Sequence, residues 1–456
     1  MDALRTDLYQ LTMAAGYFHR GMTGRQATCE MFVRRLPAHR RYLVAMGLER
    51  ALAYLEGLRF DEEEIAFLAT IPNLRDAMTP AFCAYLRDLR FTGDAWAMPE
   101  GTVLFAGEPL VRITAPLVEA QLVETFLLSA VNHATMVASK AARMVLAAGD
   151  ATCVEFGTRR THPEAAVDAA RAACAVGFVG TSNVEAGRRH GLPVTGTAAH
   201  MWTMAHETEE DAFEAYVAVF PSASILLIDT YDTIRGAERA ASVARDKLKG
   251  VRLDSGDLGD LSRRVRAILD AAGCTTARIV ASGDLNEYRV AELRRAGAPI
   301  DVYGIGTELV ASADAPALGG VYKLVELVLD GRAVPIAKFS ADKATLPGRH
   351  QVLRTRDAEG RIARDVIAID DEPVPPGAEP LLVPVMRAGR RVAPPEPLDA
   401  VRARARAGLA SLPAGLDALD DAGPAFAPQI SPRLAALVEQ VRASHVGPAH
   451  AGGKGT

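Results

Sequence analysis

An α/β barrel joined to an α+β cap drawn from both chain ends is the fold predicted by this 456-residue sequence, and three observations predict it. Short apolar β runs alternate with amphipathic helices from about residue 117 onward, and successive β-α units imply a parallel sheet, because parallel neighbours need a crossover. Six such runs are present, enough to suggest closure into a barrel. The segments before 110 and after 320 lack the alternation and carry turn-linked strands, which suits a cap built from both ends. The expected division is 1–115 for the N-terminal part of the cap and 116–325 for the barrel, then 326–440 for the return to the cap with its surface helices. Residues 441–456, small, polar and Gly-rich toward the end, are expected to form a flexible tail.

Each element has a local reason. "DLYQLTMAAGYFHRG" has helical apolar spacing and a glycine stop, whereas "ATCEMFVRRLP" alternates like a strand and ends at proline. "GTVLFAGEPLVRITAP" reads as two short strands about a Gly-Glu-Pro turn. A long helical period then runs from Leu117 to "VLAAGD". The barrel strands are "TCVEFG", "PVTGTAA", "SILLIDT", "GVRLDSG", "ARIVASG" and "DVYGIG". The helices between them include "HPEAAVDAARAACAVG", "EEDAFEAYVAVF", "GAERAASVARDKLK", "LGDLSRRVRAILDAAG" and "EYRVAELRRAG". Beyond 320, "GGVYKLVELVLDGRAVPIAKFS" and "GRHQVLRTRDAEGRIARDVIAI" form antiparallel strands about Asp-Gly and Glu-Gly turns.

Composition narrows the class. With 49% hydrophobic and 23% charged residues the chain is globular rather than disordered, and a net charge of −5 argues against general nucleic-acid binding, so any phosphate site must be local. Cys29, Cys83, Cys153, Cys174 and Cys274 form no C-x-x-C pair, which indicates neither a disulfide framework nor a zinc site and suits a reducing cytoplasm. The N-terminus lacks a signal-peptide pattern, and no apolar run is long enough to span a membrane. A soluble, untargeted cytoplasmic protein is expected.

The chemistry lies where the apolar strands end. Glu155 and Arg159 follow the first, Thr197 and His200 the second, Asp229 and Asp232 the third. Arg252, Asp254 and Asp257 follow the fourth, Ser282 and Asp284 the fifth, and Gly304, Gly306 and Thr307 the last. In a barrel these ends open on one face, so groups remote in sequence converge. Arg252 and Asp254, two apart in a strand, share one side of the pleat; they suit either an anionic ring and a diol or an internal salt bridge. Gly283 and Gly306 let backbone approach a phosphate, although glycine in such turns also serves sterics. Asp229 and Asp232 could reach Mg²⁺, with helix capping the alternative for Asp232. Arg159 or Arg160 could hold an anion or be a solvated helix-start residue.

In order along the chain, "TDLYQLTMAAGYF", "EFGTRRTH", "GTSNVEAGRRHGLPVTGTAAH", "LLIDTYDT", "VRLDSGDL", "YGIGTELV", "GGVYKLVEL" and "ATLPGRHQVLR" resemble the nicotinate phosphoribosyltransferase family. The resemblance implies a type II phosphoribosyltransferase fold, an irregular barrel plus cap, working as a homodimer with active sites at the subunit interface. It implies that nicotinate and phosphoribosyl pyrophosphate give nicotinate mononucleotide and pyrophosphate, with ATP hydrolysis coupled through a phosphohistidine. On that resemblance His200 is the phosphohistidine, and His200, Arg252 and Asp254 form the catalytic set. Tyr9 stacks on the pyridine ring from the partner subunit, Thr197 and Arg252 line the nicotinate site, and Arg159 holds an anionic group. Asp254 takes the ribose hydroxyls, and Gly283, Gly306 and Thr307 belong to the phosphoribosyl site, the last two holding the 5-phosphate. Mg²⁺ accompanies the pyrophosphate group, and ATP is a co-substrate.

One position departs from the family. A serine commonly follows the histidine, where it can hydrogen-bond the nicotinate carboxylate; here Met201 stands instead. A thioether is a poor partner, so carboxylate recognition falls to Arg252, Arg159 and backbone groups, or the preferred base differs. The alternatives are a phosphoribosyltransferase for nicotinamide or quinolinate, and a non-catalytic sugar-phosphate-binding barrel. A barrel aldolase or isomerase would present a Schiff-base lysine or a lone carboxylate base, and neither stands out at these strand ends.

Overall fold

The structure, a computed structural model, describes residues 3–340, 343–419 and 426–446. These residues gather into two units. One holds the chain up to Thr135, Ala317–Leu416 and the described residues beyond 425; the other holds Met136–Pro316 and a short stretch from Asp417.

The first unit is built on a seven-stranded sheet. At its centre Gln26–Val33 lies antiparallel between Gly320–Leu329 and Pro109–Pro116, so segments about 300 residues apart share one ladder. The turn after Gly320–Leu329 places Asp330 and Gly331 at φ 50° and 75°, the left-handed pair that a two-residue hairpin requires, and Arg332–Pro335 returns from it. A second sheet pairs His350–Arg356 with Ile362–Ile369. The helix Pro432–Val446 runs past residue 441, where the flexible tail was expected to begin; the rest of that tail lies outside the described residues.

The second unit carries a six-stranded, all-parallel, curled sheet. Its order is Gly180–Thr181, Thr152–Glu155, Val302–Ile305, Arg278–Ala281, Gly250–Leu253 and Ile225–Leu227. Among the described residues the sheet is a half-barrel and does not close. One predicted strand is corrected. "PVTGTAA" contributes only a single bridge from Val194 to Thr181, because Pro193 has no N–H for a ladder, and Gly180–Thr181 takes the sheet edge instead.

The helices between these strands start where side chains cap them. Asn183 accepts the Ala186 N–H, Asp232 that of Arg235, Asp257 those of Gly259 and Asp260, and Asn286 that of Arg289. Asp232 is therefore a cap, as one of the two readings of the sequence had it. Every one of these caps follows a sheet strand closely, so the turn between strand end and cap is short and its side chains are held on a rigid frame.

Candidate active site

Five of the side chains singled out in the sequence meet at one place. Arg252 is next to last in the strand Gly250–Leu253, and its guanidinium donates to Thr197 Oγ1 at 3.0 Å, to Ser282 Oγ at 2.8 Å and to Asp254 Oδ1 at 2.7 Å. Asp254 also accepts from the Ser282 hydroxyl. His200 opens a five-residue helix; its Nδ1 lies 3.1 Å from Thr230 Oγ1, and its Nε2 lies 3.9 Å from Asp254 Oδ2. Thr197, His200, Arg252, Asp254 and Ser282 thus form a continuous polar network, with Arg252, Asp254 and Ser282 at the C-terminal ends of two strands and Thr197 and His200 on the segment after the Val194 bridge.

The charges within it are mutually set. Burial by itself would raise the Asp254 carboxyl, but the Ser282 hydroxyl, the Arg252 guanidinium and the nearby His200 outweigh it and hold the group below its ordinary value. Asp229 fixes the turn beneath, its Oδ2 accepting from the Asp254 backbone N–H at 2.9 Å and from Ser255 Oγ at 2.6 Å. Its other oxygen, Oδ1, is buried with no hydrogen-bond partner.

Glycines place the backbone around this network. A Cβ on Gly283, at φ 88°, would lie 2.2 Å from the Asp254 carbonyl oxygen, so only glycine lets these two turns touch. A Cβ on Gly304 would lie 2.5 Å from the Phe156 ring, and the Arg252 guanidinium sits over that ring at 5.5 Å from its centroid. Gly306 packs on the Phe156 backbone, with Thr307 exposed beside it. Arg159 is exposed on the turn Thr158–Arg160, after the adjacent strand. Glu155, fully buried, holds that turn by accepting from Gly157 N–H and the Thr181 hydroxyl; burial pushes its carboxyl up against those two bonds.

Two further residues named in the sequence are exposed. Tyr9 belongs to the first unit, on the helix Leu8–His19, where it is exposed. Met201 is 79% exposed and takes no part in the polar network, so it supplies no hydrogen bond where the family commonly has a serine. Thr230 and Phe156 were missed by the sequence reading, being ordinary residues whose part depends on neighbours 30 and 96 positions away. A cavity of about 610 Å³ in the first unit was missed too; Arg34, Arg35, Lys323, Lys338 and Lys343 line it. Five cations around one cavity, in a chain of net charge −5, make a local field suited to phosphate groups. Only the adjacent Arg34 and Arg35 signalled it in sequence.

Comparison with known proteins agrees with the motif order. The family model for the nicotinate phosphoribosyltransferase (NAPRTase) N-terminal domain matches residues 4–132, and that for the nicotinate phosphoribosyltransferase (NAPRTase) family matches residues 151–361. A nicotinate phosphoribosyltransferase of Mycobacterium tuberculosis is 43% identical over 459 residues, covering 99% of this chain and 96% of its own. The Bacillus subtilis enzyme of that name is 44% identical over 382 residues, covering 82% of this chain and 77% of its own. The crystal structure of human nicotinic acid phosphoribosyltransferase superposes with a TM-score of 0.85 at 30% identity, over 96% of this chain and 99% of that one. With near-complete coverage at this identity, the chain belongs to the nicotinate phosphoribosyltransferase family.

Proposed function

We propose that the protein joins nicotinate to phosphoribosyl pyrophosphate, forming nicotinate mononucleotide and releasing pyrophosphate, with ATP hydrolysis coupled through phosphorylation of His200. The observation that carries this reading is the network of Thr197, His200, Arg252 and Asp254 in a chain of this family. The ring nitrogen of nicotinate supplies the electron pair, attacks the anomeric carbon, and the bond from that carbon to pyrophosphate breaks. Because the nitrogen is already a nucleophile, no general base is required, and catalysis consists of positioning and charge stabilisation.

Arg252 uses N–H groups on Ser282, Thr197 and Asp254, which lock its plane and leave the remaining donors for the nicotinate carboxylate. Asp254, kept ionised, accepts from the ribose hydroxyls. The turns at Gly283 and at Gly306 with Thr307 receive the 5-phosphate, and Arg159 a further anionic group. A Mg²⁺ ion fits as a companion of the pyrophosphate rather than in a protein cage. Among the described residues no cluster of three metal-ligating side chains occurs, while the unpartnered Asp229 Oδ1 offers the single carboxylate oxygen that a phosphate-bound Mg²⁺ needs. When bound, Mg²⁺ neutralises charge building on the leaving pyrophosphate.

For the coupling, ATP passes its γ-phosphoryl group to a His200 ring nitrogen as ADP leaves, and water later releases phosphate from the histidine. The added negative charge sits beside Asp254 and competes with it for Arg252, a local means by which the ATP step alters the transfer site. Tyr9 stacks on the pyridine ring from a second subunit, which makes the working unit a homodimer.

The test is pyrophosphate release with phosphoribosyl pyrophosphate, Mg²⁺ and ATP, comparing nicotinate, nicotinamide and quinolinate. Turnover with nicotinate alone is expected. Turnover with a different base would keep the chemistry and move the specificity, whereas no turnover with any base would leave a sugar-phosphate-binding protein.

A further inference from the structure

A charge cluster around the buried Lys140 takes no part in the network described above. Lys140, on the helix Glu124–Ala148, is 1% exposed, and its Nζ lies 2.7 Å from Glu287 Oε2, 2.9 Å from Asp314 Oδ1 and 3.7 Å from Glu308 Oε2. Arg143, one turn along, holds the other oxygen of the fully buried Glu287 at 3.0 Å.

Burying an ammonium against a carboxylate is expensive, and an apolar pair of the same volume is often at least as stable. The apolar solution was at hand on the same helix face, where Met136, Val137 and Met144, three or four residues from Lys140, are buried hydrophobics. What the ion cluster adds is direction. Glu287 is the first residue of the helix that follows the Ser282–Asn286 turn, and Glu308 follows Thr307 directly after the Gly306 turn. The first of these turns is strained: Gly283 and Asp284 stand consecutively at φ 88° and 42°, and a non-glycine residue there persists only when its surroundings hold it. One ammonium therefore binds together the segments that leave both glycine turns.

We infer that Lys140 is a positioning residue for the phosphoribosyl site, clamping the Gly283 turn to the Gly306 turn through Glu287, Glu308 and Asp314. The inference rests on the proposed function for the assignment of those turns to the phosphate. It concerns a residue that touches no substrate and acts only through the spacing of the two turns.

The experiment compares wild type with Lys140→Met and Lys140→Arg, reading KM for each substrate, thermal unfolding, and calorimetric binding of ribose 5-phosphate as a probe of the turns alone. Lys140→Met should raise KM for phosphoribosyl pyrophosphate and weaken ribose 5-phosphate binding by roughly tenfold each, because small misplacement of a binding group is costly. KM for nicotinate should stay within about twofold, and Lys140→Arg should recover most of the loss. Equal shifts in both KM values that follow the loss of thermal stability would mark a merely structural ion pair and overturn the inference, as would unchanged KM values. If Lys140→Met does not fold, Asp314→Asn must show the same split between substrates or the inference fails. Wild type that binds ribose 5-phosphate without turning over any base would sink the proposed function and leave the clamp to be judged on the ribose 5-phosphate reading.

Discussion

At the scale of single residues, His200 shows how a weak signal becomes a strong one. An imidazole beside apolar residues is unremarkable by itself, but here it stands between the Thr230 hydroxyl and the Asp254 carboxylate, and Asp254 is tied to Arg252. Replacing it by alanine removes the acceptor of the phosphoryl group and leaves Arg252 and Thr197 in place. His200→Ala should therefore keep a basal transfer rate and lose its stimulation by ATP, which a rate assay with and without ATP reads; unchanged stimulation would sink the phosphohistidine. Asp254 gives a pH prediction. Its carboxyl is more acidic folded than free, so it contributes stability at pH values above the ordinary 3.8, and that contribution is lost as the pH falls through the lower, folded value. In urea unfolding, the stability gap between wild type and Asp254→Asn should be constant near neutrality and close only below pH 3.8. A gap that closes already near pH 6 would show that Asp254 is not the depressed carboxylate.

At the scale of elements, the turns after the strands are legible because they obey local rules. Asn183, Asp232, Asp257 and Asn286 each cap a helix by accepting backbone N–H groups from its first turn, a relation contained within a few residues of sequence. The "PVTGTAA" segment shows the limit of that reading. Its β-branched residues suit a strand, yet Pro193 cannot extend a ladder, and whether an edge exists for Val194 depends on Thr181 coming to lie beside it. Gly304 is a further case, reserved for the Phe156 ring that underlies Arg252. Gly304→Ala should destabilise the protein by about 1–3 kcal/mol through overpacking and raise KM for nicotinate as the ring shifts. Thermal unfolding and initial-rate kinetics check both, and an alanine variant with wild-type KM would detach Phe156 from the positioning of Arg252.

At the scale of the whole molecule, the proposed homodimer makes a prediction that a monomer cannot satisfy. If Tyr9 serves the site of the partner, Tyr9→Ala and Asp254→Ala variants, each weak alone, should complement when mixed and allowed to exchange subunits. A random mixture would restore about a quarter of wild-type activity, since half the dimers are mixed and each of those holds one intact site. No recovery on mixing, with exchange verified by sizing differently tagged chains, would place Tyr9 in the site of its own chain or outside any site.

The sequence by itself determined the β-α alternation, the cap at Asp232 and the chemical types that stand near the strand ends, because periodicity and capping act over a few residues. Tertiary structure alone decided which of those types meet. The strand Thr152–Glu155 pairs with Val302–Ile305 about 150 residues later, and that neighbour relation brings Gly304 onto Phe156 and Gly306 beside Gly157. The five cations of the first unit's cavity come from segments about 300 residues apart, joined by the pairing of Gln26–Val33 with Gly320–Leu329. Local rules carry no information about such distances, since long-range register is settled by the packing of whole strands rather than by the residues of either one.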